Sequence, residues 1–220
     1  MWINATIEDL KGLYLFKDLD KEEIEKIAEF TKLKSYSPKD IIYYENDIKK
    51  QLFYLKSGHV KVYKVDRFDN EIFLYDIKSD NMITKISSLL DDTINCFGNI
   101  ECLSPCEVLI IDYDKFKDLC LTNPKLLIKI VDIFAKRNQM LECVINRELV
   151  YDGVAKVAFT LVNDFELFNR LKKQDIAYRL NIQPETLSRI LKKLIKRGLI
   201  KSEQGIVEII DKDGLKEIYE

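Results

Sequence analysis

Apolar and polar positions along the chain change their period three times. Asp20 stands where it can cap a helix, Glu23 can reach back to that cap, and Ile24, Ile27, Ala28 and Phe30 follow at helical spacing. From Ile41 to Ile111 the pattern instead alternates or runs in short apolar bursts: Phe53 and Leu55, Val60 and Val62, Ile72 and Leu74, Val108 and Ile110. Turn-prone stretches separate these bursts, namely Glu45-Asn46-Asp47, Ser57-Gly58, Arg67 to Asn70, Ser79-Asp80-Asn81 and Leu103-Ser104-Pro105. Many short strands joined by turns predict a compact antiparallel barrel or roll of about 70 residues.

Pro124 suits the first turn of a helix, and helical text continues from Lys125 to about Tyr151. At 1.5 Å per residue that is roughly 40 Å, longer than one small roll can cover. Read as heptads, the segment puts Leu127, Ile130, Phe134, Arg137, Leu141, Val144 and Glu148 at the a and d positions, five of the seven apolar. The spacing predicts a parallel dimer seam through Leu127, Ile130, Phe134, Leu141 and Val144, with Arg137 and Glu148 as its weakest points. A helix packed on its own domain is the alternative. The expected division is a roll with N-terminal helices over 1–123, a dimerisation helix over 124–152 and a third part over 153–220.

That third part opens at Gly153 with an apolar helix from Val154 to Val162, then a polar loop leading to Leu171. Between Lys173 and Arg197 the residues meet the demands of a helix-turn-helix. A small residue, Ala177, stands where two helices would cross, and Asn181 tolerates left-handed backbone at the turn. Ile176, Leu180, Ile182, Leu187 and Ile190 supply apolar anchors, Pro184 suits the first turn of the second helix, and Gly198 is a natural stop. Leu199-Ile200-Lys201 and Ile206 to Ile210, around Gln204-Gly205, predict a hairpin wing. The expected fold class is therefore α+β: a β-roll, a long dimerisation helix and a C-terminal winged helix-turn-helix.

Charge sharpens this picture. The whole chain carries −2, yet Phe168 to Ser202 holds ten Lys or Arg against Asp175 and Glu185, a net +8 that leaves −10 for the remainder. A basic element on an acidic body suits neutralisation of duplex phosphates. Glu185, Ser188 and Arg189 fall on one face near the start of the second helix, where base edges are read. Arg189 can donate twice to guanine, Glu185 can accept from cytosine, and Ser188 is short enough for either base type. Lys173, Thr186, Lys192, Lys193 and Arg197 are assigned to phosphates. Glu185 and Arg189, one turn apart, can also pair with each other.

Composition excludes several classes. With 220 residues, 47% apolar and 33% charged, and only seven Gly and four Pro, the chain is neither disordered nor low in complexity. No apolar run reaches the roughly 18 residues of a membrane span. The opening Met1-Trp2-Ile3-Asn4 lacks a signal peptide's basic and apolar regions, so the expected location is cytoplasmic, without membrane partners. Five cysteines (Cys96, Cys102, Cys106, Cys120, Cys143) form an odd, irregular set and are read as thiols. One histidine, no phosphate-cradling glycine loop and no GxSxG or HExxH text leave no catalytic constellation, so no enzyme is expected.

With these residues in place, the chain resembles the CRP/FNR family of bacterial transcription regulators from about Tyr14 to Glu220. The segments LFKDLDKEEIEKIA, ENDIKKQLFYLKSGHVKVYK, CEVLIID, the helix opening at Asn123-Pro124 and QDIAYRLNIQPETLSRILKKLIKRGLI follow the family's order. The resemblance implies a homodimer with a cyclic-nucleotide-binding-type roll, contacting double-stranded DNA and RNA polymerase. The run Pro184 to Arg189 is similar to FNR-type recognition helices, whose Glu, Ser and Arg read TTGA-like half-sites, and this carries Glu185, Ser188 and Arg189 to the bases.

The departures concern the signal. Family members that bind cAMP hold its phosphate with a Gly-Glu turn and an Arg-Ser or Arg-Thr pair; here the corresponding stretches read Asn81-Met82-Ile83-Thr84-Lys85-Ile86-Ser87 and Cys96-Phe97. No arginine occurs between Arg67 and Arg137, which argues against cAMP. No cysteine precedes Cys96, which argues against an FNR-type iron–sulfur cluster. His59 is read as an exposed turn residue, a haem ligand being the alternative; Cys96, Cys102 and Cys106 are read as buried strand thiols, with redox or metal chemistry as the alternative. The cofactor stays unknown, and a haem- or thiol-based redox or gas sensor stands as a second reading. A ligand-binding module acting through protein contacts is a third, against which the +8 segment argues.

Overall fold

The capping signal at Asp20 forms as the sequence predicts: its carboxylate accepts from Glu23 N at 2.9 Å, Glu23 accepts from Asp20 N at 2.8 Å, and the helix Lys21–Glu29 follows. A computed structural model describes residues 2–203 and 205–220; Met1 and Gln204, the latter part of the expected wing turn, lie outside the described residues. The chain divides into two compact units, Met1–Gln139 and Met140–Glu220.

The first unit is built on two larger antiparallel sheets and a two-stranded one, Ile48–Lys49 with Ile94–Asn95. One has five strands in the order Trp2–Asn4, Thr31–Tyr36, Cys106–Asp112, Gln51–Ser57, Asn81–Met82; the other has four, Ile41–Tyr43, Asn99–Cys102, His59–Val65, Glu71–Lys78. Turn-prone stretches sit between strands as expected, and Asn46, Asp69 and Asp80 within them adopt left-handed backbone at φ 65°, 63° and 62°. Gly58 turns at φ +104°, where an added Cβ would lie 2.6 Å from Cys106 Sγ. Alternation breaks in Gln51–Ser57, whose Leu52, Phe53, Tyr54 and Leu55 are all buried because both faces of that strand are covered. Trp2–Asn4 had no signal to read: its three residues are exposed, and it gains order by pairing with Lys32–Lys34.

Two expectations for this unit need correction. His59 is not an exposed turn residue: it opens the strand His59–Val65, half-buried, with Nε2 3.2 Å from the Asp76 carboxylate across the sheet. The second correction concerns the long helix, which runs Pro124–Ile145 and finishes in a π-helical turn, Asn146–Val150. Leu126 and Ile130 lie in the roll's core, and Leu127 and Phe134 pack against it. The expected seam through Leu127, Ile130 and Phe134 thus faces its own unit, because the roll offers an apolar surface to that stripe. Ile128 and Val131, one position on, are 67% and 58% exposed. Leu141 and Val144 are half-buried, whereas Arg137 turns into the roll.

The second unit packs the helices Gly153–Asn163, Phe165–Arg170, Lys173–Arg179 and Pro184–Lys196 with a hairpin, Ile200–Glu203 against Ile206–Ile209, and a last helix, Lys212–Lys216. Asp152 caps the first by accepting from Val154 N and Ala155 N at 2.8 and 2.9 Å. The polar loop expected before Leu171 is in fact the short helix Phe165–Arg170, stabilised by burial of Phe168 in the unit's core.

Candidate nucleic-acid interface

The helices Lys173–Arg179 and Pro184–Lys196 each end in the same closing motif, and the first of these makes the turn between them. At the end of Lys173–Arg179, Asn181 takes φ 51°, its N–H donates to Tyr178 O and that of Ile182 to Ala177 O, each at 3.0 Å. At the end of Pro184–Lys196, Gly198 takes φ 73°, donating to Ile195 O at 2.9 Å while Leu199 N donates to Leu194 O at 3.1 Å. Both are Schellman closures, which satisfy the last carbonyls of a helix and turn the chain sharply. Ala177 is buried at the crossing, as its size required.

The helix Pro184–Lys196 buries Leu187, Ile190, Leu191 and Leu194. At about 100° per residue those four cover one side, and Glu185, Ser188, Arg189, Lys192 and Lys196 fall on the side opposite. Glu185, Arg189, Lys192, Lys193, Lys196 and Arg197 are exposed, and Lys173 is exposed on the preceding helix. Among the described residues, Lys173, Lys192, Lys193, Lys196 and Arg197 have no carboxylate partner, so their charge is open to an incoming anion. Ser188 donates its hydroxyl to Pro184 O at 3.0 Å, leaving its oxygen able to accept.

Arg189 does not pair with Glu185. Its Nη2 donates instead to Thr186 Oγ1 at 3.1 Å, so Thr186, assigned from sequence to phosphate, steadies the guanidinium. Two further devices escaped sequence reading. The Asn169 amide clamps the wing, donating to Val207 O at 2.9 Å and accepting from Val207 N at 2.8 Å. Lys156, buried in Gly153–Asn163, reaches Glu148 at 3.1 Å and the Leu180 carbonyl at 3.4 Å, and Glu148 also takes Arg147 at 2.7 Å. An asparagine and a lysine carry no periodic signal, and only tertiary contact reveals what they hold.

In the first unit, two stretches depart in sequence from the cAMP-binding pattern, Asn81 to Ser87 and Cys96-Phe97. Cys96 is buried, with its N–H donated to Asp47 O at 2.9 Å. Phe97 lies between Lys64 and Lys85, whose ammonium groups sit 4.6 and 4.7 Å from the ring centre, and Lys64 also pairs with Glu45. The buried Cys96, Cys102 and Cys120 thiols are pushed up to about 11, 12 and 11 by burial, which keeps them protonated near neutral pH. No group of three or more His, Cys, Asp or Glu able to hold a metal occurs among the described residues.

Comparison with known proteins agrees with this architecture. The profile of the cyclic nucleotide-binding domain matches residues 33–123, and that of the Crp-like helix-turn-helix domain matches residues 157–218. The chain is 24% identical over 177 residues to the cAMP-activated global transcriptional regulator CRP of Salmonella typhimurium, spanning 76% of this chain and 84% of that one. CRP of Pasteurella multocida is 25% identical over the same shares. Among solved structures, a CooA mutant from Carboxydothermus hydrogenoformans shares the fold with a TM-score of 0.74 at 21% identity, covering 98% of this chain and 100% of that one. FixK2 from Bradyrhizobium japonicum does so with a TM-score of 0.65 at 16% identity, covering 86% and 98%. No helix among the described residues is long and apolar enough to cross a membrane. With the roll and the helix-turn-helix both matched in order, the chain belongs to the CRP/FNR family of transcription regulators, and it is not an enzyme.

Proposed function

We propose that the protein is a cytoplasmic, homodimeric regulator that binds an inverted repeat of TTGA-like half-sites and works with RNA polymerase. Glu185, Ser188 and Arg189 read base edges, while Lys173, Thr186, Lys192, Lys193 and Arg197 hold phosphates. The observation that carries this reading is the division of Pro184–Lys196 into a buried apolar side and an outward side bearing all three base-reading candidates. A helix so divided can enter a major groove without disturbing its own core. The net +8 between Phe168 and Ser202 supplies the sequence-independent part of the affinity.

The seam of the dimer runs along the exposed stripe of the long helix that carries Ile128 and Val131. Large apolar side chains left on one helix side at three-four spacing suit a parallel partner. Two recognition helices related by a twofold axis then reach major grooves about 34 Å apart, which requires an inverted repeat. Selection from randomised duplexes tests this directly. A palindrome with TTGA-like halves is the expected product, and equal affinity for every duplex removes the specificity.

A further inference from the structure

Within the stretch Asn81 to Ser87, which corresponds in sequence to the phosphate-holding turn of cAMP-binding family members, the carbonyls of Met82 and Thr84 face a cation, the guanidinium of Arg137. Two of the stretch's N–H groups turn inward: Ile83 N and Thr84 N both donate to Phe53 O, at 2.9 and 3.3 Å, and Thr84 Oγ1 accepts from Phe53 N at 2.7 Å. The carbonyls are what remain for an occupant. Ile83 O accepts from the Tyr43 hydroxyl at 3.4 Å, Met82 O from Arg137 Nη2 at 2.5 Å and Thr84 O from Arg137 Nη1 at 2.8 Å. Met82, Ile83, Thr84, Tyr43 and Tyr75 are buried, so these acceptors have little water to turn to. A pair of carbonyl oxygens converging on one point attracts a cation.

We infer that the carbonyls of Met82 and Thr84 form a built guanidinium site whose resident occupant is Arg137, an internal side chain held beside the stretch that corresponds to the phosphate-holding turn of cAMP-binding family members. The planar fork of arginine reaches two carbonyls with donors held in fixed geometry, whereas the ammonium of lysine is a rotatable point charge. Arg137 belongs to the helix Pro124–Ile145, so the pair of bonds fastens that helix to the roll without any added ligand. The protein then takes no cyclic nucleotide and, resting here on the proposed function above, binds DNA constitutively.

The test uses the full chain as wild type and as Arg137→Ala, with folding checked by circular dichroism. In the first arm, without DNA, the thermal midpoint of Arg137→Ala falls by several degrees. Guanidinium chloride at low millimolar concentration recovers most of that loss, matched sodium chloride does not, and wild type responds to neither. Calorimetry of wild type with cAMP and with cGMP gives no binding heat. Equal effects of the two salts on the variant, or cyclic-nucleotide uptake by wild type, overturn the inference. If Arg137→Ala fails to fold, Arg137→Gln carries the same titration. In the second arm, DNA affinity of the variant drops on the order of tenfold, inside the range usual for coupling between sites, and guanidinium restores it. A variant that binds DNA as tightly as wild type overturns the coupling. A wild type that binds no duplex unseats the proposed function instead, and the first arm still decides the pocket.

Discussion

At the scale of single residues, backbone conformation and side-chain direction carry most of the argument. Asn181 is the one non-glycine residue at the helix-turn-helix corner with φ above zero, and its N–H closes the motif. Replacing it with alanine forces a Cβ into left-handed backbone without the local help of an amide, at a cost of about 1–2 kcal/mol. Asn181→Gly should be close to neutral; urea denaturation of the three proteins distinguishes the outcomes. On the recognition helix, Arg189 and Lys193 are both exposed cations, yet their assigned roles differ. Arg189→Ala should cost roughly 1–3 kcal/mol and relax one base position, whereas Lys193→Ala should weaken all duplexes evenly and lower the salt slope by about one. Binding titrations over a salt series read both, and identical behaviour of the two variants would sink the assignment. These residue types and spacings were legible because caps, turns and charges act locally. The Arg189–Thr186 contact was not, since the expected Glu185 partner stands at an equally good helical offset.

At the scale of elements, the long helix shows how one sequence supports two readings. Leu127, Ile130 and Phe134 have the same three-four spacing as Ile128, Val131 and Ala135, displaced by one residue. The roll claims the first set, leaving Ile130 wholly buried and Ile128 67% exposed. Ile130→Ala should therefore destabilise the fold by about 2–5 kcal/mol, the range for emptying a packed aliphatic site. Ile128→Asp should leave the melting curve of a dilute sample nearly unchanged and shift sedimentation toward a monomer. A monomeric Ile130→Ala protein of normal stability, with a dimeric Ile128→Asp, would return the seam to its first position. The wing shows a similar limit: its two strands could be read from alternation, but not the Asn169 amide that fixes Val207 to the helix before it.

At the scale of the whole molecule, charge is arranged in more than one way. The basic head was visible as a composition shift between Phe168 and Ser202, whereas the ion cluster of Glu148 with Arg147 and Lys156 was not. Burial works to raise the Glu148 carboxyl, but hydrogen bonds from Arg147 and Lys156 outweigh it and hold the group below its usual range. A carboxyl depressed in the folded state adds stability above its unfolded value of 4.5, and that stability is lost as pH falls through the folded value. Glu148→Gln should thus be less stable than wild type near neutrality, with the two stability curves converging in acid. Thermal midpoints across pH measure this, and parallel curves would remove the linkage.

By itself the sequence determined the order of the parts, the turns that separate the strands, the capping of the first long helix and the basic helix-turn-helix, because each rests on local propensity, period or charge. Tertiary structure alone decided which side of the long helix the roll covers and where Arg137 goes. The physical reason is that two apolar stripes one residue apart are equivalent until a surface arrives to bury one, and a guanidinium finds its carbonyls only when strands distant in the chain present them.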